Sequence, residues 1–540
     1  MKPSFQNSLK KLSLIANQFD KVNSVTKFEL LTQLSKRKLP TDTSLVNYND
    51  LLMFLCAHPG NKQELALCET KLDRIAAFLK QKNLGLHSKF SGSGLPFSEF
   101  IGRFSHDIIS WMLNQKDLHL KLDSFDEQGM NLNDLFRITL PTIEKDIADL
   151  GHTAIDLFKE LGITENKKLE FIIDQVHKFN DRPFLKDYLF ESLQAFIQIR
   201  SNTKQFSRPF NRFLVARLYF HKDLTKKFDH LKLLNTKVHA PKKLTEKEQT
   251  DLIASIRNSL LLMSRETDPA TYMDPKSLRL YQLERGISVA IYGMIPKRQL
   301  PSESYIGYTL FKNGFPAAYG GAWIYGRRSL FGINIFEPFR GGESGYIMCQ
   351  LLRVYRQVFH VDYFEVEPYQ FGKDNPEGIA SGAFWFYYRY GFRPVDKALR
   401  QLAEKEAKQI ANQKGYRSSK QTLIKFTESN KCLNLSGKTV PASPGEVSTK
   451  VRKYINKVYK GNRTLAEKEC TRIFIEKVGG MASMSTDEYA TLKEMAFTAA
   501  ALNVHSIHQL NILKQLVRAK PSDVYKYQEL LLEFLEGKPE

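Results

Sequence analysis

The stretch that most constrains how this chain folds runs from Arg328 to Pro394, RSLFGINIFEPFRGGESGYIMCQLLRVYRQVFHVDYFEVEPYQFGKDNPEGIASGAFWFYYRYGFRP. Leu330 to Phe336 is apolar and β-prone, and Pro338 ends regular pairing. The turn Arg340-Gly341-Gly342-Glu343-Ser344-Gly345 then lets backbone N–H groups approach a ligand without Cβ obstruction. From Tyr346 onward Ile347, Leu351, Val354, Tyr355 and Val358 recur at helical spacing, which predicts a helix with Ser344 as its N-cap. A strand that feeds a helix through glycines leaves free N–H donors at the positive end of the helix, where phosphates bind.

The same segment closes on Ala383-Phe384-Trp385-Phe386-Tyr387-Tyr388-Arg389-Tyr390-Gly391-Phe392-Arg393-Pro394, which reads as an aromatic helix stopped by a C′ glycine and followed by a short strand. Strand, glycine turn, helix, strand VDYFEVEP and this closing helix together resemble the GNAT superfamily of acyl-CoA-dependent N-acyltransferases. The resemblance covers roughly Gly286 to Pro394, about one fifth of the chain and in the size range of one small domain. Ala383, Phe386, Tyr387, Gly391 and Phe392 are its most specific element. The family's pyrophosphate turn reads Arg or Gln, two residues, Gly, one residue, then Gly or Ala. Arg340 and Gly345 fit the ends, Glu343 stands at the middle glycine position, and Ala380 replaces the family's usual Asn in the closing helix.

The resemblance implies that two central parallel strands splay apart to admit the pantetheine of acetyl-CoA or another acyl-CoA. It implies that Arg340, Gly341, Gly342, Ser344 and Gly345 hold the pyrophosphate through backbone N–H groups and one guanidinium. Glu337, at the end of the strand before the turn, resembles the family position of the carboxylate that takes the amine proton; its rival reading is a surface carboxylate at a strand end. Glu365 and Glu367, on one face of VDYFEVEP, are alternatives. Tyr387 matches the tyrosine that protonates the departing thiolate, against the plainer reading of an amphipathic tyrosine in an aromatic core. No metal is implied.

At 540 residues the chain is expected to form two to four domains, and 42% hydrophobic and 12% aromatic residues suffice for real cores. A formal charge of +21 favours polyanions such as RNA, DNA, membrane surfaces or phosphorylated cofactors, or is a solvated basic surface. Cys56, Cys68, Cys349, Cys432 and Cys470 form no CxxC pair, so neither a zinc site nor a disulfide framework is indicated. The first residues lack the apolar core of a signal peptide, and no run approaches the ~18 apolar residues of a membrane helix. A reducing cytoplasm is the simplest home.

Residues 1 to 240 read as helices joined by short turns such as Ser91-Gly92-Ser93-Gly94 and Gly151-His152. RPFNRFLVARLYFH, Arg208 to His221, interleaves arginine with aromatics and could grip a nucleic-acid backbone, or be core on one face with arginines snorkelling on the other. His58, His106, His119 and His177 form no pattern. His106 and Asp107 are helix neighbours that should not face each other, so no dyad is assigned. A basic linker at 237–243 precedes a capping box, Thr245-Glu246-Lys247-Glu248, and a helix from Glu246 toward Ser264. Strands are expected at Ile287 to Tyr292, Tyr305 to Lys312 and Pro316 to Tyr325, with Asn313-Gly314 as a type I′ hairpin turn. The family's helices between its first two strands look shortened to Pro296 to Ser304. After Pro394 come a charged helix and a polar linker. The remainder is helical, with capping boxes at Thr464-Leu465-Ala466-Glu467 and Ser485-Thr486-Asp487-Glu488 and a buried face of Leu510, Ile512, Leu513, Leu516 and Val517.

The expected architecture is α+β: a GNAT-like mixed sheet module at 245–400 between an all-α N-terminal region (1–240) and, after a helix and linker at 401–450, an all-α C-terminal region (451–540). The expected activity is transfer of an acyl group, acetyl first among them, from acyl-CoA to an amine on a small molecule or protein. Two alternatives stand beside it. One is a non-catalytic basic helical scaffold or nucleic-acid-binding protein with a degenerate GNAT module, and the other is an aminoacyl-tRNA-dependent transferase.

Overall fold

The computed structural model describes residues 4–81, 88–149 and 153–537; the turn expected at Gly151-His152 lies outside them. The fold is mixed α+β, and the chain divides into two compact units. One comprises Met1–Asp223, Glu246–Thr271 and Lys312–Pro316, the other Leu224–Thr245, Tyr272–Phe311 and Ala317–Glu540.

The first unit begins with helices Phe5–Ile15, Lys21–Ser35, Thr43–Ala57 and Lys62–Lys80, whose N-caps Ser4, Asp20, Asp42 and Asn61 each accept a first-turn N–H. The expectation of an all-α region fails further on. Strands β1 (Phe100–Gly102), β2 (Leu118–Phe125) and β3 (Ala195–Ser201) form an antiparallel sheet in the order β1-β3-β2. Strand β3 buries Ala195, Ile197 and Ile199 in a core with Phe136, Phe158 and Ile172. The alternation in β2 and β3 spans only a few residues and the two strands pair across about seventy positions, so local periodicity did not reveal the sheet.

Arg208 to His221 is irregular, with Phe213 and His221 buried. Arg208 lies 3.2 Å from Asp50 and Arg212 2.8 Å from Glu69, so two cations of this stretch are matched by carboxylates rather than presented as a bare stripe. Asn313 and Gly314 both have positive φ, as a type I′ turn requires, and the Asn313 amide donates to the carbonyls of Ala57 and Tyr219. The helix Glu246–Leu261 starts where the sequence places it and groups with this unit.

The second unit is built on an eight-stranded sheet, β10-β11-β9-β8-β7-β6-β5-β4. Its members are β4 (Arg279–Gln282), β5 (Ile287–Tyr292), β6 (Ser304–Lys312), β7 (Phe315–Tyr325), β8 (Arg328–Ile335), β9 (Tyr363–Val366), β10 (Arg393–Pro394) and β11 (Lys431–Asn434). Only a 3-10 turn, Pro296–Arg298, stands between β5 and β6. Strands β8 and β9 run parallel and are joined by helix α1 (Ser344–Phe359). This helix buries Ile347, Leu351, Val354 and Tyr355, and the Tyr355 hydroxyl donates to the Ile306 carbonyl. Each such side chain contributes about 1.5–3 kcal/mol of burial. His360, in the left-handed region, ends the helix.

The basic linker at 237–243 is anchored. Buried Arg353 donates to the carbonyls of Thr236 and Lys237 and pairs with Glu284 at 2.7 Å, and Lys242 bridges to Leu280. Strand β11, inside the stretch expected to be helix and linker, inserts antiparallel between β9 and β10. Four residues with lysine and asparagine at the ends carry no readable alternation.

The C-terminal helices are Pro444–Tyr459, Arg463–Lys477, Thr486–Ala501, Ile507–Ala519 and Val524–Glu536. The capping box at Ser485 and Glu488 forms; that at Thr464 does not, because Asn462 caps the helix first. Leu510, Ile512, Leu513, Leu516 and Val517 are buried as expected. Among the described residues no helix is long and apolar enough to cross a membrane.

Candidate functional site

Strands β8 and β9 pair over three residues only: Arg328 with Tyr363, Ser329 with Phe364 and Leu330 with Glu365. Strand β7 follows β8 as far as Ile335. From Phe331 onward, therefore, the β8 edge facing β9 has no strand partner, because β9 ends one residue past the last pair, at Val366; this end of the pairing is the fork. A free strand edge exposes N–H and C=O groups that need partners. At Ile333 the partner is a side chain, since its N–H donates to Gln370 Oε1 at 3.3 Å. Gln370 lies in the 3-10 turn Pro368–Phe371 that follows β9, and the same oxygen accepts the Tyr387 hydroxyl at 3.3 Å.

Tyr387 is on helix α2 (Ala383–Arg389), which ends at Gly391 with φ +91° as a C′ glycine should. It is buried beside the fork, and burial pushes its hydroxyl above the ordinary tyrosine range, so it keeps its proton and acts as a hydrogen-bond donor.

Lys431 of β11 closes the back of this helix and was missed in the sequence. It is fully buried, donates to the Phe384 carbonyl at 2.5 Å, and stands 3.7 Å from the Phe384 ring centre with Phe371, Tyr387 and Tyr388 around it. Burial, reinforced by the charge of Arg393, holds its amine well below the usual lysine range.

At the glycine turn, Gly341 has φ +86° and open space where a side chain would be. Its N–H donates to Ser344 Oγ at 3.3 Å. Ser344 is thus the first helical residue and not the N-cap; Glu343 takes that position without capping through its side chain. The reason is that Glu343 is drawn the other way. It is buried, accepts the Thr225 N–H at 2.9 Å and has Arg285 at 3.5 Å. Its carboxylate is therefore held by Thr225 and Arg285 instead of capping the helix. A Cβ on Gly342 would lie 2.8 Å from Leu224, and one on Gly345 1.7 Å from the Tyr390 hydroxyl, so side chains cover the Cα faces of both glycines. Arg340 is exposed, donates to the Ile335 carbonyl at 3.0 Å and pairs with Glu377 at 2.5 Å.

The carboxylates named from the sequence separate. Glu337 is exposed and opens the 3-10 turn Glu337–Phe339 directly after β8. Glu365 is buried, paired with Arg328 and hydrogen-bonded by Asn430 at 2.8 Å. Glu367 lies beyond the end of β9 and is exposed.

In the first unit His106 and Asp107 do meet, contrary to the expectation from helix geometry. His106 Nε2 lies 3.3 Å from Asp107 and 2.9 Å from Asp187. His106 is the first residue of its helix, where side chains can turn back over the end. The ligand-type atoms of these three residues fall within 4.8 Å of one another, and the Lys186 ammonium, 3.5 Å from Asp107, supplies positive charge there.

Compared with family models, with curated proteins and with solved structures, the chain matches none.

Proposed function

We propose that the fork between β8 and β9 is the donor site of an acyl-CoA-dependent N-acyltransferase that moves an acyl group, acetyl in the simplest case, to an amine. The observation that carries this reading is the β8 edge from Phe331 onward, unpaired by β9 and met at Ile333 by the amide of Gln370. A pantetheine chain offers amides of the same kind and would compete for that N–H. The run of sequence-adjacent strands from β5 to β8, the crossover helix α1 and the aromatic helix α2 support it as well.

The turn supports it in part. With Glu343 bonded to the Thr225 N–H and matched by Arg285, its charge is offset where a diphosphate would meet the first-turn N–H groups of α1, and Gly341 has open space beside it. Arg340 would exchange Glu377 for a phosphate; an exposed ion pair of this sort is worth at most about 1 kcal/mol. In the reaction the amine nitrogen forms the N–C bond as the C–S bond breaks. The nitrogen's proton passes to a carboxylate, for which exposed Glu337 is one candidate, and the thiolate takes a proton from Tyr387.

A second reading, a basic scaffold or RNA-binding protein with a degenerate module, is favoured by Leu224 and Tyr390 covering Gly342 and Gly345. An aminoacyl-tRNA donor would draw on the same +21 charge. Calorimetric titration of the full chain with acetyl-CoA separates them. Saturable one-to-one heat supports the acyl-CoA reading, and silence at millimolar ligand, with salt-dependent RNA binding, favours the others.

A further inference from the structure

A cavity of about 110 Å³ adjoins the residues at which the fork begins. It is lined by Leu330 and Glu365, the last paired residues of β8 and β9, and by Glu303, Trp323, Tyr325 and Arg328 among others. At roughly 30 Å³ per water molecule it has room for a group of a few heavy atoms.

Its charges are not balanced. Arg328 and Glu365 are paired with each other, and Asn430 holds the second oxygen of Glu365. Glu303, half-buried just before β6, makes no hydrogen bond or ion pair with a described residue. Arg328, bonded to Glu365, acts on Glu303 only through space, so two carboxylates face one guanidinium in this cavity, in a chain whose overall balance is strongly positive. The walls on the β7 side are aromatic, and Trp323 is fixed by stacking on Tyr305 with ring centres 4.1 Å apart. A lone carboxylate beside rigid aromatic faces is the arrangement that selects a cation over a neutral isostere.

We propose that this cavity is the acceptor subsite, binding the primary ammonium end of the acceptor between Glu303 and the rings of Trp323 and Tyr325, and that Glu303 is the carboxylate that takes its proton. The proposal rests on the acyltransferase reading for its chemistry, though not for its binding. Glu303 accepts one proton from the ammonium group. The freed lone pair then attacks the thioester carbon where the fork opens, the N–C bond forms, the C–S bond breaks, the thiolate leaves with a proton from Tyr387, and the second proton of the newly bonded nitrogen passes through water to restore the Tyr387 hydroxyl. Burial keeps the Glu303 carboxyl above the ordinary glutamate range, which suits a base that must exchange a proton with an amine. Glu337 then stays an exposed strand-end carboxylate.

The test uses the full chain without acyl-CoA, with propylamine as probe and 1-propanol as its neutral counterpart, read by saturation-transfer NMR. Saturable transfer to propylamine and none to 1-propanol is expected. The isosteric Glu303→Gln should weaken propylamine at least about tenfold, with the thermal midpoint checked alongside, whereas Glu337→Gln should leave it unchanged. Equal transfer to both probes, or propylamine binding indifferent to Glu303→Gln, overturns the assignment. If propylamine binds through Glu303 but acetyl-CoA does not bind at all, the donor reading falls and the cation site stands. If acetyl-CoA binds and propylamine ignores Glu303, only the acceptor site falls.

Discussion

Lys431 offers the sharpest check on the physics of the second unit. Replacing it with methionine keeps length and flexibility while removing the ionisable group. In the fold the amine is fully buried and its affinity for a proton is lowered, mainly by burial and then by Arg393, while in the unfolded chain it has the ordinary value of 10.5. Between the lowered folded value and 10.5 the unfolded chain therefore holds one proton that the folded chain lacks. Stability must rise with pH across that window and fall again as pH drops toward the folded value. Within that window the slope for one proton is about 1.4 kcal/mol per pH unit. A chain of 540 residues has a urea m-value above the about 1–3 kcal/mol/M of small proteins, so the midpoint should move upward by at most about 0.5 M per pH unit. Urea unfolding followed through Trp385, which contacts Phe384 and Tyr388 beside the lysine, reads this directly. The wild-type midpoint should climb with pH relative to Lys431→Met, the other titrating groups cancelling between the two chains. Parallel curves would mean that Lys431 stays charged inside its aromatic surround, held by the Phe384 carbonyl and ring, and the burial argument would be wrong.

Gly345→Ala should cost about 1–3 kcal/mol, because the new methyl meets the Tyr390 hydroxyl; combined with Tyr390→Ala, most of that collision should disappear from a thermal unfolding comparison. Tyr387→Phe should lower turnover while acetyl-CoA affinity changes little, as steady-state rates set beside calorimetry will show, and equal turnover would assign the hydroxyl to its hydrogen bond with Gln370 alone.

The sheet core of the second unit was legible in the sequence because its signals are local. Ile287 to Tyr292 alternates within a short apolar run, Asn313-Gly314 meets the φ demands of a tight turn, and Ile347 to Val358 keeps a helical period beside a glycine turn. The sheet of the first unit was not legible, since three short strands distant in sequence find one another only through the core around Ile197 and Ile199. Strand β11 and Lys431 were hidden for a related reason, as a buried lysine breaks the apolar pattern that marks a strand. At the candidate site the sequence named the glycine turn, Tyr387 and Arg340, and the structure places Tyr387 beside the end of the β8–β9 pairing and pairs Arg340 with Glu377. It misjudged Ser344, because the side chain that decides the cap, Glu343, answers to Thr225 and Arg285 far away in the chain. Gln370 and Glu303 carried no motif at all. Each gains its meaning from where β8 and β9 part, and that is a tertiary fact.

Amide hydrogen exchange with and without acetyl-CoA tests the donor site most directly. Saturating acetyl-CoA should slow exchange across residues 331–336, with Ile333 the most affected amide, and across the turn 340–345, while the helix Arg463–Lys477 exchanges as before. Exchange at 331–345 that is the same with and without the ligand, or protection that falls elsewhere, would contradict the assignment of the fork.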